Sequence, residues 1–464
     1  MSAIITENFR KNNAKRLLED MADVANKYYI GLGKSDAWED QGSLTEEDAE
    51  FDVVPALGTI GDQTEILNNL TTLIGINGSV YSQVIPNISA KTNHRHKAYN
   101  PFDPDCFYQT TVNTIEMYPC YVVVNDNVYL CLRSPTSLTG PFTLPSGAST
   151  SRIPVVNVDG SVWIYVYTVE NSFPIRGSQF ITVPTEPTLV NAETELTVLD
   201  DIETASGHLV YGFTVINGGT GYVSAPTAEF IPFDAPSSPI TLVATLTGGS
   251  VSSVVFNAGI VDNPGSWIKK PGYVRLTSGG STVPAIVYPN IAPAVGIGSD
   301  PSQTLPSWYV GIAVSAEEEI FGDGAFIPYR QISIVRNPEN DGVAADPELS
   351  LNCLQYIQFN ALNAPSSGID VGAIITQAAT GARAIGDYYV SATRRLYFHQ
   401  TYETGFTEFN DSDEVTIDST GYTPEAIGNS EYNKETGEVI FVENRKKISR
   451  TSGQTEELTI ILQF

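Results

Sequence analysis

The segment YYIGLGKSDAW at residues 28–38 contains Gly33-Lys34-Ser35, the residues that also end many phosphate-binding loops. In those loops backbone amides surround a phosphate and the lysine neutralises its charge. Such a loop also requires a glycine five residues earlier and a preceding strand. Position 28 is Tyr, and the residues before it have helical spacing. We therefore expect a turn into a strand, with Trp38 as an anchor, rather than a nucleotide site.

Two histidines in TNHRHK, His94 and His96, could bind a metal ion, because alternate residues of a strand point to one side. No motif marks a third ligand. The other histidines, His208 and His399, lie far away in sequence. A solvated loop is the expected structure, its basic character would allow a polar contact with an acidic neighbour, and no metal or cofactor is predicted.

Nucleophilic catalysis requires Ser or Cys beside an oriented base. The sequence has no GxSxG motif and no recognisable Cys–His arrangement. A glycosidase-type carboxylate pair stays open, but with 53 Asp and Glu residues a pair carries no information. We predict that the protein is not an enzyme. Its four cysteines form no CxxC pair, which favours folding in a reducing compartment: Cys106, Cys120, Cys131 and Cys353.

The charge balance restricts the partners of this chain. Its 25 basic and 53 acidic residues give a net charge of −28, which repels nucleic acid and anionic membranes. No apolar signal segment is visible at the start, and no stretch approaches ~18 consecutive apolar residues. Neither nucleic acid nor a membrane is therefore a predicted partner.

The hydrophobic pattern predicts a mostly β protein. Hydrophobic residues make up 42% of the chain, charged residues only 17%, and 38 Gly and 28 Pro are spread along it. Helical spacing predicts one helix over residues 6–28, ended by Gly31 and Gly33, and a shorter one over 61–75. From about residue 105 a period of two predicts a hairpin over 120–134, and strands at 161–169, 178–184, 307–321 and 329–339.

An internal near-repeat lies within residues 188–304. VINGGTGYVSAP at 215–226 matches VFNAG at 255–259 followed by PGYVRL at 271–276. Each copy predicts a strand, a glycine turn that requires positive φ, a tyrosine and a second strand. Two copies are too few for a solenoid, so a small β-sandwich or a pair of stacked β-units is expected.

Segments from both ends of the chain resemble one family when they are taken together. They occur in this order: YYIGLGKSDAW, VIPN at 84–87, YNPFDPD at 99–105, YRQISIVRNP at 329–338, GEVIFVENR and QTEELTIILQF. The sequence resembles the baseplate wedge subunit of T-even-like contractile-tailed phages, the gene product 8 family. The resemblance covers roughly 1–187, 306–345 and 430–464, and its most specific part is the C-terminal pair of segments.

The resemblance implies a structural virion protein of a tail baseplate, assembled in the host cytoplasm, which forms a homodimer and joins other wedge subunits. It also implies a baseplate that rearranges when the tail contracts. The expected fold is a discontinuous β-sandwich core domain, formed by 1–187, 306–350 and 428–464, with an N-terminal helix. Two small β modules, 188–305 and 351–427, are expected as insertions into this core.

The C-terminal segment alternates Leu458, Ile460, Leu462 and Phe464 with other residues, as a half-buried strand does. An interrupted core domain needs its last segment to complete the sheet. We therefore predict that 456–464 pairs inside the core domain, beside 329–336 or a strand from 160–185.

An alternative function is receptor or glycan binding by a tail protein through the two inserted modules. Aromatic side chains can serve as stacking platforms for sugars, and Trp267, Tyr222 and Tyr273 are the candidates. The competing interpretation is that these aromatic side chains fill small cores.

Overall fold

The fold is taken from a computed structural model of the chain, which describes residues 5–36, 38, 58–78, 80–89, 91, 94–100, 103–112, 114–135, 142–147, 150, 155–169, 179–184, 210–232, 239–257, 272–291, 300–316, 327–347, 350–366, 368–449 and 456–464. The chain forms two compact units. One contains Met1–Arg16, Ser82–Gly311 and Ile461–Phe464, and the other contains Leu17–Tyr81 and Ile312–Ile460. Both units are discontinuous in sequence, and the domain boundaries given above stay a prediction.

The described residues are mostly β, which confirms the predicted fold class. The helical elements are α1 (Glu7–Ala22), α2 (Ile60–Asn68), α3 (Pro301–Thr304) and a 3-10 turn (Pro104–Phe107). The strands of the first two hundred residues are β1 (Tyr28–Gly33), β2 (Leu70–Ile76), β3 (Tyr81–Pro86), β4 (Arg95–His96), β5 (Thr110–Val112), β6 (Ile115–Tyr118), β7 (Tyr121–Val124), β8 (Asn127–Arg133), β9 (Val155–Val156), β10 (Val162–Thr168) and β11 (Phe180–Thr182).

Twenty strands follow in the remaining described residues. They are β12 (Val210–Asn217), β13 (Thr227–Pro232), β14 (Ile240–Thr247), β15 (Ser250–Phe256), β16 (Gly272–Thr277), β17 (Ile286–Ile291), β18 (Tyr309–Ala316), β19 (Tyr329–Arg336), β20 (Glu339–Asn340), β21 (Val343–Ala344), β22 (Leu351–Asn352), β23 (Gln355–Phe359), β24 (Ala373–Gln377), β25 (Ala382–Val390), β26 (Arg395–His399), β27 (Val415–Ile417), β28 (Thr420–Tyr422), β29 (Pro424–Gly428), β30 (Glu438–Ile448) and β31 (Glu456–Gln463).

The N-terminal helix is shorter than its apolar pattern predicted. It ends at Ala22, and the Asp23 carboxylate accepts a hydrogen bond from the amide of Ala25 at 2.9 Å, a side-chain-to-backbone bond that competes with continued helix. Gly31 and Gly33 do not end the helix, because both lie inside β1. The predicted helix over 61–75 is right only as far as Asn68, since Leu70–Ile76 forms β2.

A five-stranded antiparallel sheet in the second unit explains the change from helix to strand. Its order is β22-β2-β1-β19-β30, and all six residues of β1 are buried between β2 and β19. Tyr29 pairs with Val335 on one side and with Gly75 on the other. Burial in a central strand overrides the local helical pattern.

The first unit contains the predicted hairpin over 120–134. Its strands β7 and β8 pair from Tyr121–Leu130 to Val124–Asn127, with a two-residue turn at Asn125 and Asp126. Both turn residues have positive φ, 48° and 65°, which suits the right-handed twist of a hairpin. On its other side β8 pairs with β10, so the hairpin is part of the four-stranded sheet β7-β8-β10-β9.

The C-terminal strand β31 lies in the four-stranded sheet β11-β3-β18-β31. Its pairing inside a sheet was predicted correctly, but its neighbour is β18 rather than 329–336 or a strand from 160–185. The amide of Phe464 donates a hydrogen bond of 3.0 Å to the carbonyl of Trp308, just before β18. Leu458 and Ile460 are buried, whereas Leu462 and Phe464 are only partly buried.

Residues 210–291 form a small β module in the first unit. Its four-stranded sheet is β15-β14-β13-β16, and the β12–β17 pair packs beside both edges, with β12 against β15 and β17 against β16. In the predicted glycine turn Gly219 and Gly221 have positive φ, 64° and 81°. Phe230 is the largest fully buried side chain in the core of this module.

The second unit carries a seven-stranded antiparallel sheet in the order β28-β27-β24-β25-β26-β23-β29. Its two edge strands, β28 and β29, are joined by Thr423 alone. Because this connection holds the two edges together, the sheet curls into a near-closed barrel. Its interior is apolar and includes Ile357, Phe359, Ile375 and Phe398.

Candidate functional site

Gly33 is the last residue of β1, so Lys34 and Ser35 follow a strand, and the predicted turn into a strand is wrong here. Lys34 adopts a φ of 56°, and its amide donates a hydrogen bond of 3.1 Å to the Asn69 carbonyl. The indole Nε1 of Trp38 donates to the Arg445 carbonyl at 3.2 Å, so Trp38 does anchor the segment. After this turn, Ser35 and Asp36 contact Asp387 and His399.

That turn contributes to a polar cluster of five residues, of which all but the partly buried Asp36 are buried: Lys34, Ser35, Asp36, Asp387 and His399. Ser35 Oγ donates a hydrogen bond to Asp387 Oδ1, and His399 Nδ1 lies 2.8 Å from Asp387 Oδ2. His399 Nε2 lies 3.9 Å from Asp36 Oδ1, whose carboxylate also contacts Lys34 Nζ at 2.9 Å. Asp387 and His399 are fully buried. The imidazole thus lies between two carboxylates.

A β-bulge orients Asp387 toward this cluster. The register between β25 and β26 shifts between Gly386 and Tyr388, which leaves Asp387 as the extra residue. A bulge places two successive side chains on the same side of a strand. Asp387 consequently points away from the barrel interior, while Phe398 on the neighbouring strand stays inside it.

Basic side chains lie near the polar cluster and its two carboxylates, of which Asp387 is fully buried and Asp36 partly buried. Arg330 on β19 is buried and donates from Nη1 to the carbonyl of Ser35. Burial lowers the pKa of Lys434, while the negative charge of Asp387 acts in the opposite direction. Lys34, which contacts Asp36, and Lys434, which interacts with the charge of Asp387, therefore offset part of the cost of burying carboxylates here.

The arrangement differs from that of a hydrolytic triad. In a triad the base is hydrogen-bonded to the nucleophile and oriented by the acid. Here Ser35 donates to Asp387 instead, and the described geometry contains no Ser35–His399 hydrogen bond. Asp387 and His399 are also fully buried, and Asp36 is partly buried. The cluster therefore has the geometry of a polar clasp, which fastens the turn after β1 to the outer side of the barrel.

His94 and His96 both lie beside the ring of Tyr118. His96 is buried on β4 and donates from Nδ1 to the Pro119 carbonyl at 2.7 Å, so the predicted solvated loop is wrong for this residue. The His94 ring stacks on Tyr118, with centroids 3.5 Å apart. Within the described ranges, no three His, Cys, Asp or Glu side chains are grouped to hold a metal ion.

Burial changes the acid–base behaviour of this histidine pair and of the cysteines. The pKa of His96 falls to about 4, chiefly because burial disfavours the imidazolium. All four cysteines are buried free thiols, and burial raises the pKa of Cys120 and Cys131. A thiol that stays protonated is a poor nucleophile, so these two positions lack the properties of a reactive cysteine.

The three aromatic side chains proposed as sugar platforms have different surroundings. Tyr222 is buried, and its hydroxyl accepts a hydrogen bond of 2.9 Å from the Ala285 amide, so it belongs to the core of the 210–291 module. Tyr273 on β16 is 46% exposed. Trp267 lies outside the described residues. Among these candidates, only Tyr273 is placed with an accessible ring.

Sequence reasoning did not identify the Asp387–His399 pair. His399 was noted only as a histidine remote from His94, and Asp387 was not singled out. A usable signal was the aspartate in AIGDYYV, since an acidic residue inside an apolar strand needs a polar partner if it is buried. The partner, Ser35, lies 352 positions away, and no local pattern connects the two.

The chain matches no protein-family model and no curated protein. In the part of the chain that the structure describes, no helix has the length and apolar character needed to cross a membrane.

Proposed function

We propose that this protein is a structural component of the baseplate wedge of a contractile phage tail. On this proposal it works through protein–protein interfaces and takes part in the rearrangement of the baseplate when the tail contracts. Its partners are other wedge subunits and a second copy of the chain, and its location is the virion. No catalytic residue, cofactor or metal forms part of the proposal.

The observation that carries the proposal is where the family-like segments lie in the fold. YYIGLG, YRQISIVR and EVIFVENRKKI are β1, β19 and β30, three neighbouring strands of one sheet. VIPN overlaps β3, and EELTIILQ is β31, and both strands belong to the sheet β11-β3-β18-β31. Five of the six segments that carry the resemblance therefore contribute strands to these two sheets, while YNPFDPD at 99–105 overlaps the 3-10 turn Pro104–Phe107.

The two stretches that the resemblance leaves out have a different organisation. Residues 210–291 and 355–428 each form a β module from consecutive strands. This separation supports the interpretation of a family core that carries additional modules. An assembly protein can present such modules to its neighbours while the core keeps its own fold.

Two measurements test the proposal. Light scattering of the purified protein should give twice the chain mass of 50.1 kDa, with a concentration-independent value if the interface buries more than roughly 2,000 Å². Mass spectrometry of purified tails from the parent phage should detect the chain as a stoichiometric component. A monomer at high concentration together with absence from purified tails would refute the proposal.

A further inference from the structure

An exposed aromatic pair lies on the barrel of residues 355–428, between β26 and β27. The rings of Tyr402 and Phe406 are 61% and 43% exposed, and their centroids lie 5.5 Å apart with an interplanar angle of 87°. Isolated apolar side chains on a surface need no explanation, but paired aromatic rings are typical of the centres of protein interfaces. The pair is therefore a candidate contact surface.

Hydrogen bonds and a buried ring fix the two ends of the segment that carries these rings. The Thr401 amide donates to Thr404 Oγ1 at 2.9 Å, and the Gly405 amide donates to the Thr401 carbonyl at the same distance. At the other end, Phe409 is buried in the barrel core, where its ring meets that of Phe398 edge-on at 5.2 Å. A contact surface that is already ordered loses less conformational entropy when a partner binds.

The charge around the pair selects the partner. Along the chain no Lys or Arg occurs between Arg395 and Lys434, although an exposed arginine, Arg383, lies on the neighbouring strand β25, where its carbonyl accepts a hydrogen bond of 2.9 Å from Gln400 Nε2. The exposed carboxylates of Glu403 and Glu408 belong to the same segment as the rings. Acidic partners would be repelled here, whereas a guanidinium or ammonium group gains both from the carboxylates and from the electron-rich face of an aromatic ring.

We propose that Tyr402 and Phe406, with the carboxylates beside them, bind an arginine- or lysine-bearing segment of a partner protein. The cationic side chain packs on an aromatic ring, and the carboxylates neutralise its charge. The barrel itself contains one such contact, since the Arg395 guanidinium lies 4.3 Å from the centroid of the Tyr356 ring. This inference does not depend on the proposed role in a baseplate.

The test is a binding titration of the full chain by fluorescence polarisation at physiological ionic strength. The probe is a fluorescein-labelled Gly-Ser peptide with spaced arginines, and the comparison peptide has Gln at each Arg position. The double variant Tyr402→Ser/Phe406→Ser is compared with Tyr273→Ser, which removes an exposed tyrosine outside the barrel. All three substitutions are at exposed positions, so the melting temperature of each variant should stay near that of the wild type.

We expect the arginine peptide to bind the wild type and Tyr273→Ser equally, and to bind the double variant at least about tenfold more weakly. General attraction to a chain of net charge −28 would not distinguish these variants. Equal binding by the double variant, or equal binding of the arginine and glutamine peptides, would overturn the proposal. A second assay measures binding of the same variants to a glycan array. The proposal would also be overturned if the double variant lost glycan binding but kept full affinity for the arginine peptide.

Discussion

His399 Nδ1 lies 2.8 Å from Asp387 Oδ2 although both side chains are fully buried. The other oxygen of the same carboxylate accepts a hydrogen bond from Ser35, which belongs to the turn after β1. One aspartate therefore satisfies two polar groups from separate parts of the second unit. We therefore expect removal of the Asp387 carboxylate to lower the free energy of unfolding.

Replacing Asp387 with Ala should reduce the free energy of unfolding by about 3 kcal/mol, because Ser35 and His399 would both lose a buried partner. Asp387→Asn keeps an oxygen acceptor and should cost less. Urea unfolding followed by fluorescence measures the difference. The matched control is Asp411→Ala, at an exposed aspartate of the same module, which should change stability by no more than about 0.5 kcal/mol. Equal effects at Asp387 and Asp411 would contradict the clasp.

The C-terminal strand should be required for folding. Deleting residues 456–464 removes β31 from its sheet, together with the buried side chains of Leu458 and Ile460. We expect the truncated chain to be insoluble, and Leu458→Ala to cost about 2–5 kcal/mol. Thr459→Ala, which changes an exposed position of the same strand, is the control. A soluble truncated chain with an unchanged melting temperature would disprove the requirement.

How far the fold follows from the sequence depends on whether the signal is local. The hairpin over 120–134 was predicted because two turn residues that tolerate positive φ separate two runs of β-branched and aromatic residues. The strand character of 456–464 was likewise visible in its alternation. In both cases the neighbours in sequence determine the structure.

The errors arise where distant segments determine the structure. Leu70 and Leu73 fit a helix by spacing, yet they lie on β2, because β1 and β22 offer it a place in a sheet. The choice of β18 as the neighbour of β31 and the meeting of Ser35 with Asp387 are equally non-local. Periodicity reports which face of an element is buried, but not which remote element covers it.

The burial of His96 should make the free energy of unfolding fall as the pH is lowered. Its pKa is about 4 in the folded protein, below the ordinary 6.5, so the unfolded chain binds more protons between these values. Stability contributed by this neutral imidazole is present above pH 6.5 and is lost as the pH falls toward 4. His96→Gln cannot titrate but keeps a donor for the Pro119 carbonyl. The stability difference between wild type and variant should therefore shrink by about 2 kcal/mol from pH 7 to pH 4.5.

Comparing the unfolding free energies of wild type and His96→Gln at the two pH values isolates the contribution of His96, because the carboxylates titrate in both proteins. A difference that stays constant with pH would show that the imidazole is accessible or charged in the folded state. The same outcome would remove the argument that burial keeps His96 neutral beside His94.

A glycine pair in the 210–291 module separates backbone strain from steric contact. Gly219 and Gly248 have almost the same positive φ, 64° and 61°. A Cβ on Gly219 would lie 2.4 Å from the Val283 carbonyl oxygen, whereas one on Gly248 would meet no atom within 4 Å. Alanine in the left-handed conformation costs roughly 1–2 kcal/mol at either position. Only Gly219→Ala must also displace backbone atoms of Val283–Ala285. We expect Gly219→Ala to be the more destabilising by at least about 1 kcal/mol in urea unfolding, because rigid backbone cannot yield as a flexible side chain can. If the two variants unfold at the same urea concentration, the close approach of Gly219 to Val283 has no role in holding the NGGTGY turn.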